Sequence, residues 1–505
     1  MKKRISILLV LALLFSLAMV GCNSEKRSSS NHIDKNDDGI CDDCNVSVLV
    51  AVDFYVVNDL HGKFDDTSMQ PGVDELSTFF EIKKNTDEHV ILLSSGDMWQ
   101  GSSESNLTEG HLVTEWMNKM GFVAMAVGNH EYDWGEEIVQ ENAQLAEFPF
   151  LAINLYDVNT NNRVEYCDAS VVVEKGGIQI GIIGAIGDCY SSIASDHTKG
   201  IYFKTGDDLT ALVKKEAEQL RKQGVDYIVY SIHDGYGGKQ FNNTATDKML
   251  EAYYDVELSN GYVDLVFEAH THQYYTMVDK YGVYHLQGGG ENTGISHAEI
   301  TVNTVTGTTG VNEAQYIGNE KYKAHDDHPI VDQLLEKYDD QISAGREVLG
   351  FNARSMNKDY LCRTAAKLYY EYGCQLWGEE YDIVLGGGFF SVRSPGYLSQ
   401  GDVTYSQLQM IFPFDNYLTL CSIKGRDLQE KFFETDNDRY YIYFADYGAG
   451  VRSNIDPDKT YYVIVDSYTS TYRYNNLTEI YRYEENFFLR DMFAQYVRDG
   501  GLAES

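Results

Sequence analysis

Between Val46 and about residue 320, short apolar runs alternate with helical patterns. The runs are Val48–Val57, Val90–Leu93, Val123–Val127, Phe150–Ile153, Gln179–Ile186, Tyr227–Ile232 and Asp264–Phe267. Short, apolar and rich in β-branched residues is the pattern of buried strands. Helical patterns lie between them at Leu112–Met120, Glu136–Glu147, Asp208–Gln223 and Asp247–Tyr254. The alternation predicts an α/β layered domain over residues 46–325. The stretch His325-Asp-Asp-His328-Pro329 breaks it, and Ile330–Leu349 then reads as a connector helix within 326–349. A Tyr-rich second domain, mixed α+β, occupies 350–505, as a chain of 505 residues allows.

The composition is 43% hydrophobic and 23% charged, which excludes a largely disordered chain. With 40 basic and 77 acidic residues the net charge is −37, so a nucleic-acid polymer is a poor partner. A small phosphate ligand is still open to such a chain, because a bound metal inverts the local field. The N-terminus reads as an address. Met1-Lys2-Lys3-Arg4 precedes the apolar run Ile5–Val20, and Met19-Val20-Gly21-Cys22 resembles a bacterial lipobox. That resemblance implies removal of residues 1–21, lipidation of Cys22, export, and a membrane anchor facing outward.

Residues 22–45 read as a tether with one structured motif. Asp34, Asn36, Asp38 and Asp42 occupy positions 1, 3, 5 and 9 of an EF-hand-type calcium loop, with Gly39 at the turn. Position 12 is Asn45 rather than the bidentate Glu. His32, Cys41 and Cys44 offer zinc as the alternative. The eight cysteines show no framework-like spacing, so no disulfide scaffold is expected.

Five motifs each follow a predicted strand: Asn58-Asp59-Leu60-His61-Gly62, Gly96-Asp97-Met98-Trp99-Gln100-Gly101, Gly128-Asn129-His130-Glu131-Tyr132-Asp133, His233-Asp234-Gly235 and Ala269-His270-Thr271-His272. Strand ends of a layered α/β sheet converge on one edge, so residues remote in sequence share a crevice there. Imidazoles and carboxylates without a thiolate suit Zn, Mn, Fe or Co. The count exceeds the ligand set of one catalytic metal and suits two bridged by a carboxylate.

This ordered set resembles the calcineurin-like metallophosphoesterases, and its Gly-Asp-Met-Trp-Gln-Gly and Gly-Asn-His-Glu-Tyr-Asp forms are similar to the 5′-nucleotidase and 2′,3′-cyclic phosphodiesterase branch. The resemblance implies a four-layered αββα-type domain followed by a C-terminal α+β substrate-binding domain. It implies that Asp59, His61 and His272 bind one metal, that Asn129, His233 and His270 bind a second, and that Asp97 bridges them. His130 is then the catalytic histidine and Asp133 its dyad partner. Ala269 and Asp234 depart from the family pattern. In the second domain, Gly386-Gly387-Gly388 and Arg393 resemble a substrate loop, although four residues separate them. Phe414 and Asn416, in Phe412-Pro413-Phe414-Asp415-Asn416, together with Tyr468, resemble the base pocket, with Tyr472 as a substitute for Tyr468. Arg363 is the candidate for the substrate's acidic end. The reading is thus a monomeric, lipid-anchored two-metal hydrolase of nucleoside 5′-monophosphates. Cyclic 2′,3′-nucleotide or UDP-sugar hydrolysis and a non-hydrolysing nucleotide-binding lipoprotein are the alternatives.

Overall fold

The computed structural model describes residues 32–64, 72–236, 256–390, 392–393, 395–430, 440–444, 455–474 and 476–503. The signal segment 1–21, Cys22 and the helix expected at Asp247–Tyr254 lie outside the described residues, as does the side chain of Tyr472. The seven expected strands form at Leu49–Val57, Val90–Ser94, Phe122–Ala126, Phe150–Leu151, Ile178–Ile186, Tyr227–His233 and Leu265–Phe267. They divide between two six-stranded sheets. In the first, a hairpin of Gly294–Asn303 and Thr309–Gly318 borders Leu49–Val57, and the four expected strands that follow one another are parallel. The second has a parallel centre of Ile178–Ile186, Tyr227–His233, Leu265–Phe267 and Tyr284–Gly288 with antiparallel edges.

Period-two alternation along Leu49–Val57 decides how the layers stack. The Phe54 ring lies 6.0 Å from Phe267 of the second sheet. Its neighbour Tyr55 points the other way, 5.6 Å from Phe79 on the helix Asp74–Thr86. That helix and His111–Met120 cover the outer face of the first sheet. Leu209, Val213, Ala217 and Leu220 of the helix Gly206–Lys222 cover the second. The order is therefore helix, sheet, sheet, helix. Both sheets are covered, which explains why their strands read as continuous apolar runs.

The expected single connector helix Ile330–Leu349 is two helices, Pro329–Lys337 and Asp339–Gly345, broken at Tyr338. Asp339 and Asp340 open the second helix, where acidic residues favour an N-terminus over a helix interior. The last residues of the expected helix instead begin the strand Val348–Asn352. Beyond it a five-stranded mixed sheet, with Ile383–Phe389 and Thr460–Asp466 parallel at its centre, packs against the helix Lys358–Trp377. By density of contacts, the described residues up to Val50 with Val302–Thr308 form one compact unit, and the described residues of Ala51–Thr301 with Thr309–Ser505 another. Among the described residues no helix is long and apolar enough to cross a membrane.

Candidate metal centre

The parallel strands end in tight loops whose backbone takes conformations that L-residues avoid. Asp59 (φ 50°), His61 (φ 51°), Asp97 (φ 55°), His270 (φ 66°) and His272 (φ 53°) are all left-handed. Such strain concentrates where side chains must be aimed rather than packed. Gly128 permits the closest approach of two loops: a Cβ there would collide with Asp97 Oδ1 and with Glu131 Oε2.

The aimed side chains converge. Donor atoms of Asp59, His61 and His272 lie within 4.8 Å of one another, and so do those of Asp59, Asp97 and His233. The His61 Nδ1–H donates to the Gln100 carbonyl at 2.7 Å, and that of His233 to the Ser95 carbonyl at 2.7 Å. Each bond orients its ring and turns Nε2 toward the other ligand side chains. His61 Nε2 faces His272 Nε2 at 3.0 Å. His233 Nε2 faces Asp97 Oδ2 at 3.1 Å and Asn129 Oδ1 at 3.3 Å. Asp59 and Asp97 are almost completely buried. Burial pushes the Asp59 carboxyl above its ordinary value and holds the His61 imidazole well below its own. Buried carboxyl groups and imidazoles facing one point form a donor set that fits divalent cations. Asp59, His61, His272, Asn129, His233 and His270 would hold them, with Asp97 between.

Three features of this cluster were not anticipated from the sequence. Cys189 lies with His233 and His270 within the same 4.8 Å limit, its thiol donating to the His233 carbonyl at 2.9 Å. Asp234 turns away, its carboxylate packed against Gly187 and accepting the Gly235 N–H. Glu131 is fully buried and ties two loops together. Its Oε2 accepts N–H groups of Asp97 (3.0 Å) and Gly128 (2.7 Å), and its Oε1 accepts that of Met98 (2.7 Å). Its place inside the Gly-Asn-His-Glu run was the available signal. In Glu131→Gln even the better amide orientation orphans one buried N–H, at a cost of about 1–3 kcal/mol. Loosening the Asp97 loop should also lower turnover about 10- to 100-fold. Thermal unfolding and phosphate release on the same preparation check both.

His130 stands at the mouth of the cluster. Its backbone N–H donates to Asp97 Oδ1 at 2.8 Å, and its Nδ1 lies 2.8 Å from Asp133 Oδ2. Burial opposes a charged ring here, but the carboxylates of Asp133 and Asp97 outweigh it and hold the pKa above its ordinary value. Arg393 reaches His130 from the second domain, with Nη2 3.1 Å from Nε2. The four residues between the glycines and Arg393 therefore do not remove the arginine from the site. Its Nε–H is buried and has no hydrogen-bond partner among the described residues.

A cavity of about 440 Å³ opens at this junction. Asn129, His130, Asp133 and His270 line it together with Arg393, Phe414, Asn416 and Tyr468 of the second domain. Sequence reasoning missed Phe389, Arg473 and His197, which also line it. The Arg473 guanidinium lies 4.2 Å from the Phe389 ring centroid and donates to the Tyr468 hydroxyl at 2.7 Å. Arg363 is a correction. It is exposed on the helix Lys358–Trp377, donates to Asp359 at 2.7 Å, and does not line the cavity. Four residues is one helical turn, so the nearest carboxylate captures it. Of the expected calcium ligands, Asp34, Asp38 and Asp42 are not among the converging His, Cys, Asp and Glu groups of the described residues, and Asn36 donates to Asp38 Oδ2 at 2.8 Å. Both Asp34 oxygens already accept N–H groups, from Asp38, Gly39 and Asn303.

Residues 52–274 match the family profile described as calcineurin-like phosphoesterase. Those residues belong to that family. The chain is a metal-dependent phosphoric ester hydrolase. The phosphoesterase is 24% identical over 417 residues to an apyrase of Tabanus yao, covering 74% of this chain and 72% of that one. It is 30% identical over 216 residues to a 5′-nucleotidase of Vibrio cholerae, covering 42% of this chain and 37% of that one. Its fold is like that of a 5′-nucleotidase precursor from Thermus thermophilus, with a TM-score of 0.66 at 18% identity, over 89% of this chain and 96% of that one.

Proposed function

We propose that this phosphoesterase hydrolyses nucleotides, and foremost that it releases phosphate from nucleoside 5′-monophosphates outside the cytoplasm, anchored by a lipid on Cys22. The observation that carries the reading is the shared cavity. Asn129, His270 and His130 of the phosphoesterase domain line it, and so do arginine and aromatic side chains of the second domain. A phosphate ester attached to a flat, π-faced group has the length and chemistry to span both. Similarity to an apyrase and a 5′-nucleotidase supports the substrate class.

Two divalent cations held by the Asp59, Asp97, Asn129 and histidine set would supply Lewis acidity toward phosphoryl oxygens and a water acidic enough to attack at neutral pH. The protein's own residues do the rest. Asp133 holds His130 Nδ1, so Nε2 points into the cavity. There it can donate to a phosphoryl oxygen as negative charge builds on it. The unpartnered Arg393 Nε–H offers a second donor to the same anion. Phe414, with its ring centroid 6.2 Å from that of His130, sits where the sugar and base would begin. Removing the ring in Phe414→Ala should raise KM for a nucleotide about tenfold or more, as loss of one base stack does. Hydrolysis of glycerol phosphate, which has no base, should change little.

A panel of AMP, 2′,3′-cyclic AMP, 3′-AMP and UDP-glucose tests the substrate. AMP is expected to give the highest kcat/KM. A higher value for a cyclic or 3′ ester moves the assignment to that bond, and tight AMP binding without release makes the chain a nucleotide-binding protein. In cells, Cys22→Ala should shift the chain from the membrane fraction to the soluble one.

A further inference from the structure

Residues 32–48 contain a cluster that the catalytic reading does not use. This stretch is too small to hold itself by a core. Its backbone pairing is a single bridge, Ile40 with Ser47, and Ile40 and Val46 are exposed. Its carboxylates are spent on turns: Asp34 on the Asp38 and Gly39 N–H groups, Asp38 on that of Ile40, and Asp42 on that of Lys35. The sulfur and imidazole side chains form a separate cluster.

Those donors meet. His32, Cys41 and Cys44 bring ligand atoms within 4.8 Å of one another, with His32 Nδ1 3.4 Å from Cys44 Sγ. Cys41 is buried while His32 and Cys44 are exposed, so an ion reaches the cluster from one side. The turn that pairs the thiols is built for it. The Asn45 N–H returns to the Cys41 carbonyl at 2.8 Å, and Asn45 takes a left-handed φ of 59°. Two sulfurs and one imidazole across a Cys-x-x-Cys turn select a borderline-soft, tetrahedral ion over an oxygen-seeking one.

We propose that His32, Cys41 and Cys44 bind one Zn²⁺, which closes this loop, with solvent in the fourth position. Both thiols release their protons to solvent, and the imidazole binds through its neutral form, so no oxidant or reductant is required.

Zinc content and the Co²⁺ spectrum of the full-length chain test this. Cys41→Ser/Cys44→Ser should hold one zinc fewer per chain than the parent while phosphoester turnover is unchanged, which also shows that the variant folds. After Co²⁺ exchange, the thiolate-to-cobalt charge-transfer band should vanish in that variant and persist in Cys189→Ser. An unchanged zinc count, a band lost only in Cys189→Ser, or a Cys41–Cys44 disulfide in the mass spectrum of the purified chain would overturn the proposal. None of these outcomes depends on which ester the catalytic site hydrolyses.

Discussion

Asp97→Asn is expected to lower phosphate release by about a thousandfold or more while leaving the fold intact. Asp97 is buried and faces two ways: Oδ1 accepts the His130 N–H, and Oδ2 faces His233 Nε2. An asparagine keeps the first contact with its own oxygen. It then turns an N–H₂ group toward His233 and Asn129, where a cation needs an anion. Metal content should fall with activity. The metal-free variant should melt lower than the metal-free parent: burial opposes the Asp97 charge, but His233 and His130 outweigh it and hold the carboxyl well below its ordinary value, an attraction the amide loses. The stabilisation that added metal gives the parent should be lost, since it depends on binding to the folded state. Mass-spectrometric metal counting, calorimetry with and without metal, and phosphate release make the comparison. Full turnover in Asp97→Asn would remove Asp97 from the centre.

His130→Ala should separate chemistry from metal binding. The ring is held between Asp133 and Arg393 and is not among the converging donors of the cluster. Its loss should cost about 10²- to 10⁴-fold in kcat, the range for a positioned proton donor. Metal content should stay at the parental value and KM should move far less. Asp133→Asn should give a smaller fall with the same signature, because the amide can still accept from Nδ1 but no longer favours the charged ring. Loss of metal in His130→Ala would make His130 a ligand instead.

Much of the first domain was legible because its physics is local. A strand covered on both faces must be continuously apolar, and a ligand carried at its end must lie just beyond the last apolar residue. Asp59 follows Val57 by two positions and His233 closes its own strand. Such residues are found by reading the sequence outward from each run. Glu131 was harder because its role is defined by backbone N–H groups of loops up to 34 residues away, which no side-chain pattern encodes. The second domain was less legible for the same reason on a longer scale. Phe389 meets Tyr468 only because parallel strands Ile383–Phe389 and Thr460–Asp466 place their ends side by side. Arg363 shows the opposite error: a charge on a predicted helix reads as available until its carboxylate one turn away is weighed. The break at Tyr338 was written in Asp339-Asp340, whose preference for a helix start outweighed the apolar periodicity across it.

The most direct measurement is phosphate release from AMP by chelator-stripped protein titrated with Mn²⁺, in the Cys41→Ser/Cys44→Ser background. The account predicts no release from the stripped chain and recovery that saturates at about two equivalents. Release without metal, saturation at one equivalent, or AMP held without any release would contradict it.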